Sequence, residues 1–202
     1  MLEHYQDVPG VLVLALPRGG VPVGYEVARA LRAPLDVYLV RKLGVPGHEE
    51  LAMGAVASSG VRVLNHDTID HLAIAPGVID QVTVVEQREI ERQERLYRGD
   101  RPAPDVRGRT LILVDDGLAT GSTMRAAATA LRLHQPARLV VAVPTAALQT
   151  CEELRHEVDE VICAITPEPF YAVGLWYQDF SETSDQEVRD LLAAAALIDR
   201  AA

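Results

Sequence analysis

The chain is predicted to fold as an α/β protein in which helices cover both faces of a mostly parallel sheet. Three observations support this fold class. Apolar runs alternate with segments of helical periodicity, the runs are continuous, and Gly or Pro residues separate the two kinds of segment. Continuous apolar runs are typical of parallel strands that are buried on both faces. A length of 202 residues and a hydrophobic share of 49% suit one domain with a single core.

The first elements are a strand, a helix and a second strand. An apolar run predicts a buried strand at 11–16, which the turn at 17–20 ends. The next helix is predicted from apolar residues at helical spacing, and Pro34 closes it. Those apolar residues are Val23, Val27, Ala30 and Leu31. A second strand is predicted at 35–40.

The middle of the chain combines a hairpin with a long helix. Segments 53–59 and 61–65 flank Gly60 and are typical of a β-hairpin. The loop before them is marked by Gly44, Pro46 and Gly47. Residues 78–98 have a charge-rich helical pattern with weaker apolar content. Three helix-breaking residues follow this helix, namely Pro102, Pro104 and Gly108.

The second half continues the alternation of strands and helices. Strands are predicted at 110–114, 139–143 and 160–165. A helix that ends near Pro136 follows the first of these strands, and a helix at about 146–156 follows the second. The first of these helices has an apolar stripe made of Met124, Ala127, Ala128 and Leu131.

The C-terminal region is predicted to be irregular at 166–183 and then helical. Ser184 and Glu187 form the pattern of a capping box at the start of this last helix. One face of the helix is apolar and carries Val188, Leu191, Leu192 and Ala195. Five of the nine aromatic residues lie just before it: Phe170, Tyr171, Trp176, Tyr177 and Phe180.

Composition and charge argue against several classes of protein. The chain has 19 basic and 29 acidic residues, and its formal net charge of −10 disfavours non-specific binding to nucleic acid. No run of 18 apolar residues predicts a membrane span, and no basic segment precedes the first apolar run as in a signal peptide. Cys151 and Cys163 are too few to predict a disulfide framework, so we expect a reducing, cytoplasmic compartment.

The segment at 114–123 carries the chemistry. Two carboxylates, Asp115 and Asp116, stand at the end of a buried strand and can accept hydrogen bonds from two vicinal hydroxyls. A loop of Gly, Ala, Thr and Ser then runs into a helix and exposes backbone N–H groups that suit a phosphate. A ribose 5-phosphate carries both features. The alternatives are an exposed acidic turn, and helix capping by Thr120 or Ser122.

Three loops are predicted to meet beyond the carboxyl ends of the parallel strands. They are the turn at 17–20, the residues after Val40 and the segment 115–123. Ligands of open α/β sheets gather at that edge. This edge would also carry positively charged side chains, because Arg41 and Lys42 follow Val40. Lys42 is the one lysine of the chain. Lys42 is equally compatible with a solvated surface position.

On these residues the chain resembles the type I phosphoribosyltransferases, whose fold is Rossmann-like with a small C-terminal hood. The resemblance is carried by the acidic pair with Thr-Gly-Ser-Thr at 111–123, by Leu-Ala-Leu-Pro-Arg-Gly-Gly at 14–20 and by Val-Arg-Lys at 40–42. The resemblance covers about residues 10–165. The chain also resembles an uncharacterised subgroup of the family. The resemblance implies one domain over 1–202, with a flap at about 66–108 and a hood and C-terminal helix at about 166–202.

The resemblance implies a role for each motif. Asp115 and Asp116 would form the catalytic pair, holding the ribose 2- and 3-hydroxyls and stabilising an oxocarbenium-like transition state. The 5-phosphate would be bound by Ala119, Thr120, Gly121, Ser122 and Thr123. The pyrophosphate would be bound by Arg18, Gly19, Gly20, Arg41 and Lys42. A plain turn is the alternative for the two glycines.

Two further features come from the same resemblance. A cis peptide bond is predicted between Pro17 and Arg18, as family loops at this position often contain one. Mg²⁺ is expected to bridge pyrophosphate and ribose oxygens mostly through ligand and water, so no protein ligand is assigned to the metal.

The resemblance indicates the acceptor base and the residues that would bind it less clearly. Trp176 or Tyr177 would stack on it and Asp179 would accept a hydrogen bond, although the rings are equally suited to fill the core of the hood. Ala119 replaces the acid that the 6-oxopurine enzymes carry, which disfavours hypoxanthine and guanine without selecting another base. Four side chains of the flap would approach the pyrophosphate after closure, or they would lie on a helix that faces solvent. These side chains are Gln87, Arg88, Arg92 and Arg95.

The resemblance predicts an enzyme that transfers a 5-phosphoribosyl group from phosphoribosyl pyrophosphate to a nitrogenous base. The alternative is a regulatory protein that binds the same ligands on the same fold without turnover. A hydrolase or kinase is disfavoured, because the chain has neither a Gly-x-Ser-x-Gly elbow nor a Walker lysine. The expected partners are the two small substrates and a second copy of the chain in a homodimer.

Overall fold

The computed structural model describes residues 1–199 and contains a central five-stranded parallel sheet. Its strands are β1 (Val11–Ala15), β2 (Leu35–Val37), β6 (Thr110–Val114), β7 (Arg138–Thr145) and β8 (Glu160–Ile165). They lie in the order β2-β1-β6-β7-β8, and every neighbouring pair is parallel. The predicted α/β class with a mostly parallel sheet is confirmed.

Helices cover both faces of this sheet. One face packs against α1 (Gly20–Leu31) and α6 (Asp185–Asp199), and α3 (Pro76–Arg98) packs against α6 and joins the same core. The other packs against α4 (Ser122–Arg132) and α5 (Leu148–Leu154). Successive strand residues alternate between the two cores, so that Val13 belongs to the first while Leu12 and Leu14 belong to the second. This alternation explains why the strands carry apolar residues at successive positions. No helix within residues 1–199 has the length and apolar character needed to cross a membrane.

A second, antiparallel sheet follows β2 and corrects the prediction of one strand at 35–40. Its strands are β3 (Val40–Val45), β4 (His48–Ala57) and β5 (Arg62–Leu64). A short helix, α2 (His66–His71), comes next. The chain leaves the central sheet after Tyr38, whose N–H still bonds to Ala15 O at 2.9 Å. Leu39 then exchanges hydrogen bonds with Ser58, which redirects the chain into β3.

The buried face of α1 differs from the predicted one. Val21, Gly24, Ala28 and Leu31 are buried, whereas Val23 and Val27 are only half-buried and Ala30 is exposed. Gly24 sets this rotation, because a Cβ there would lie 2.9 Å from the Cβ of Ala15. The helix therefore approaches the sheet through its smallest residue. The stripe predicted for α4 is confirmed, since Met124, Ala127, Ala128 and Leu131 are all buried.

The last helix begins where the capping pattern predicts. Ser184 Oγ accepts the N–H of Glu187 at 3.2 Å, immediately before α6. Val188, Leu192 and Ala195 are buried in the first core, and Leu191 packs against it. A short 3-10 helix at Val173–Trp176 lies within the region predicted to be irregular. Residues 200–202 of the predicted hood lie outside the described residues.

The two cysteines correct the expectation that no disulfide would form. Cys151 on α5 and Cys163 on β8 are joined, with their Cα atoms 6.9 Å apart. The pairing was missed because it depends on packing: α5 follows β7 and turns back onto the neighbouring strand β8. The bond fastens the short helix that follows β7 to the edge of the sheet.

Reducing this disulfide is expected to lower the free energy of unfolding by about 3 kcal/mol, because the closed loop spans 12 residues. Urea denaturation of the oxidised chain, with and without dithiothreitol, measures the difference. The Cys163→Ser variant should match the reduced chain and should not respond to dithiothreitol. Equal stability of the oxidised and reduced chains would contradict the expected contribution.

Candidate functional site

Three loops meet at the carboxyl ends of the strands, as predicted. β1 and β6 are neighbours with Ala15 opposite Val114, and the N–H of Leu16 donates to Val114 O at 2.9 Å. A cavity of about 290 Å³ lies at this edge. Its lining includes Arg18 from the first loop, Arg41 from the second and Thr123 from the third.

The turn after β1 lies directly against the acidic pair. The cis peptide bond predicted between Pro17 and Arg18 is confirmed. A Cβ on Gly19 would lie 2.1 Å from Asp116 Oδ2. A Cβ on Gly20 would lie 2.8 Å from Val114 O and 2.9 Å from the Cα of Asp115. The two glycines thus allow the loop to lie close against the carboxylates, and at Gly20 the neighbouring backbone atoms leave no room for a side chain.

The acidic pair is held at an unfavourable electrostatic position. Burial and the neighbouring charge of Asp116 raise the pKa of Asp115 to about 7, although the Asp116 N–H donates to its Oδ1 at 2.9 Å. Burial also raises the pKa of Asp116. Raised carboxyl pKa values in a cleft are typical of functional sites, because folding alone gives no reason to place two acids together.

The loop at 119–123 presents the amino end of α4 to solvent. Among the residues that the structure describes, no side chain caps this helix, and the hydroxyls of Thr120 and Ser122 lie 3.1 Å from each other instead. Gly121 has a φ of 69°, and Thr150 Oγ1 fixes the turn by donating to Ala119 O at 2.6 Å. The uncapped N–H groups of the first turn are therefore available to an anion.

The cations of the site are paired with carboxylates from distant segments. Arg18 forms an ion pair with Glu182, and its Nη1 lies 3.9 Å from Asp185 on α6. Arg41 pairs with Glu86 on α3. These pairs hold the guanidinium groups at the cavity wall.

The other predicted cations are placed differently. Lys42 is exposed and does not line the cavity, because it is the strand neighbour of Arg41 and its side chain lies on the other face of β3. Of the four flap candidates, Arg92 lines the cavity, while Arg88 and Arg95 are exposed and Gln87 is half-buried elsewhere.

A second cavity, of about 550 Å³, lies between the acidic pair and the hood. Asp116, Tyr177 and Asp179 all line it, and Arg18 is shared with the first cavity. Tyr177 donates its hydroxyl to Asp116 O at 2.5 Å, which fixes the ring beside the acidic pair. Trp176 is 43% exposed and does not line this cavity.

Several residues that shape the site were not predicted from the sequence. Tyr97 donates its hydroxyl to Asp185 at 2.7 Å and joins the end of α3 to the start of α6. Tyr38 lines the cavity together with the arginines, and burial raises its pKa to about 12. Thr150 and Glu182 were also missed. No local pattern marks these residues, since each acts through a partner far away in the chain.

The comparisons with known proteins agree with this geometry. The family model described as phosphoribosyl transferase domain matches residues 3–178. A Mycobacterium tuberculosis protein, whose name assigns it by inference to the phosphoribosyl transferases, is 44% identical over 191 residues. This match covers 95% of the chain and 42% of the relative, so the chain spans about two fifths of the length of that relative.

Two further relatives differ in how much they cover. The crystal structure of TT1426 from Thermus thermophilus is 39% identical, with a TM-score of 0.81, and the match covers 93% of this chain and 89% of that one. The bifunctional protein PyrR of a Roseiflexus species is 32% identical over 124 residues, which cover 60% of this chain and 62% of PyrR.

Proposed function

The chain belongs to the phosphoribosyl transferase family, and from this premise we propose that it transfers a 5-phosphoribosyl group from phosphoribosyl pyrophosphate to a nitrogenous base. One observation carries the proposal. The acidic pair Asp115–Asp116 lies between a glycine turn that bears Arg18 and a helix terminus with free N–H groups. A sugar with a phosphate at one end and a pyrophosphate at the other matches this order of groups.

The ribose would lie over the acidic pair. Ionised carboxylates only accept hydrogen bonds, so Asp115 and Asp116 suit the 2- and 3-hydroxyls. As the bond between the anomeric carbon and pyrophosphate breaks, positive charge develops on the sugar and the two carboxylates stabilise it. The 5-phosphate would bind at the first turn of α4, through the N–H groups and hydroxyls of 119–123.

The pyrophosphate would enter the cavity that Arg18, Arg41 and Arg92 line. Arginine binds phosphate oxygens in a bidentate manner, and the exclusion of water from the site would strengthen each of these contacts. The site also suits Mg²⁺, since the substrate and water would supply the oxygen ligands that this ion prefers and two neighbouring carboxylates would balance its charge. Asp115 and Asp116 would hold the ion through ribose hydroxyls or water, and it would supply positive charge beside the leaving pyrophosphate.

The base would lie in the second cavity, where it meets Tyr177 and Asp179. The ring of Tyr177 offers a surface for stacking, and Trp176 would reach the base only after a movement of the hood. Closure of the flap at about 66–108 would exclude water during the transfer. We expect the protein to act as a homodimer.

Calorimetry with phosphoribosyl pyrophosphate and Mg²⁺ tests the first step, and pyrophosphate release across a panel of purines, pyrimidines and pyridines tests the second. We expect binding in the micromolar range and release with at least one base. No binding by the folded protein would overturn the proposal. Binding without release for every base would favour the regulatory alternative. Light scattering of the same sample tests the homodimer.

The Glu182→Gln variant is expected to bind phosphoribosyl pyrophosphate up to about fivefold more tightly, because the carboxylate of Glu182 competes with the substrate for Arg18. Calorimetry at low ionic strength measures the change. Glu26→Gln is the matched control, since it breaks an exposed ion pair with Arg29 on the outer face of α1. Weaker binding by Glu182→Gln would show that the ion pair positions Arg18 for the substrate instead.

A further inference from the structure

The cavity beside Asp116 has walls suited to a flat molecule. The rings of Tyr177 and Phe180 lie on the hood side, with their centroids 5.1 Å apart and their planes inclined by 45°. Phe180 packs against Gly174, where a Cβ would lie 2.6 Å from its ring, and yet remains 48% exposed. Pro22 and Val23, in the first turn of α1, also line the cavity.

The polar groups of this cavity are mostly acceptors. Four carboxylates line it, and they belong to Asp116, Asp179, Glu182 and Glu187. Its one cation is Arg18, which is already paired with Glu182. Within residues 1–199, neither Asp179 nor Glu187 forms an ion pair. Asp179 accepts the N–H of Ser181 at 2.9 Å, and this bond lowers the pKa of its carboxyl group.

We propose that this cavity selects, as the acceptor, a neutral base with an exocyclic amino group over bases that carry a carboxylate. The inference rests on the proposed function, since it concerns which base receives the phosphoribosyl group. An amino group donates hydrogen bonds to carboxylates, which have no proton to offer in return. The rings of Tyr177 and Phe180 accept the flat face of the base.

A carboxylated base meets the opposite conditions. Its negative charge would approach Asp179 and Glu187, which have no free cation beside them among the described residues. Like charges repel one another, so this approach is unfavourable. Arg18 could compensate only by leaving Glu182, and the pyrophosphate cavity needs the same guanidinium. The acidic lining therefore discriminates against anionic acceptors such as orotate and nicotinate, and it does so before any chemistry occurs.

Product nucleotides test this selection without requiring turnover. Calorimetry compares AMP, GMP, IMP and orotidine 5′-monophosphate, which all carry the same ribose 5-phosphate. We expect AMP or GMP to bind at least fivefold more tightly than IMP, and orotidine 5′-monophosphate to bind most weakly. IMP is the matched ligand, because it differs from GMP only by lacking the 2-amino group.

A double variant, Asp179→Asn with Glu187→Gln, assigns the effect to these carboxylates. The preference for the amino-bearing nucleotide should fall to less than twofold, and binding of orotidine 5′-monophosphate should rise. Asp7→Asn, an exposed change before β1 at a residue that lines neither cavity, is the control, and thermal unfolding reports whether each variant is folded. Equal binding of AMP, GMP and IMP, or tightest binding of orotidine 5′-monophosphate, overturns the inference. The proposed function stands in that case if phosphoribosyl pyrophosphate still binds.

Discussion

Asparagine in place of Asp115 is expected to abolish phosphoribosyl transfer and to stabilise the folded chain above neutral pH. The side chain is held in a buried position beside Asp116, which raises its pKa to about 7, whereas an unfolded chain releases this proton near pH 4. The folded state thus binds more protons between these values, and stability falls as the pH rises from about 4 to about 7. The neutral amide removes this penalty.

The expected gain is on the order of 2 kcal/mol in the free energy of unfolding at pH 8, with little gain at pH 4. We expect kcat/KM to fall by about 100-fold or more, because the carboxylate that faces the developing positive charge is lost. Urea denaturation at both pH values and pyrophosphate release at pH 8 measure the two effects. The Asp7→Asn variant, an exposed change before β1, should change neither. A variant that is less stable at pH 8, or that keeps its activity, would contradict the assignment of Asp115 as a strained functional group.

The centre of the site was predictable because it is local in sequence. The apolar strand, the acidic pair and the start of α4 occupy one continuous segment, and 14–20 supplies the turn that faces it. The meeting of the loops then follows from a simple rule: parallel neighbours bring their carboxyl ends to the same edge. The position of each loop therefore required no knowledge of how the rest of the chain packs.

The surroundings of the site were not predictable, because they depend on contacts between distant segments. Arg18 meets Glu182 across 164 positions of sequence, and Arg41 meets Glu86 across 45. Lys42 shows the same limit of prediction from sequence, because it was expected in the site and lies outside it. Its charge and position in the chain resemble those of a phosphate ligand, but strand alternation places it away from the cavity, and register is a property of the assembled sheet.

The prediction of one strand at 35–40 was wrong for a related reason. An apolar run does not reveal which sheet its residues join, and here Tyr38 still pairs with β1 while Leu39 already pairs with Ser58. The switch has a functional consequence. It turns the chain out of the central sheet at its carboxyl edge and brings Arg41, at the start of β3, into the cavity with Arg18.

A single methyl group on Gly20 is expected to have the second large effect. The Cβ of Gly20→Ala would lie 2.8 Å from Val114 O and 2.9 Å from the Cα of Asp115, and both are backbone atoms that cannot rotate away. The turn after β1 must then move away from the end of β6. We expect affinity for phosphoribosyl pyrophosphate to fall by about 100-fold and stability to fall by about 1–3 kcal/mol, as for other overpacked sites.

Two further alanine variants separate distortion of the site from a general effect of replacing glycine. Gly19→Ala meets the carboxylate of Asp116, which can rotate away, so we expect the fold to persist while ribose binding weakens. Gly77→Ala is the matched control: it lies near the start of α3 with nothing within 4 Å, and alanine there should be neutral or slightly stabilising. Calorimetry and urea denaturation of all three should therefore show a graded series. If Gly20→Ala binds the substrate as tightly as Gly77→Ala, the close contact between the turn and the acidic pair does not form the binding site, because the contact cannot survive that substitution unchanged.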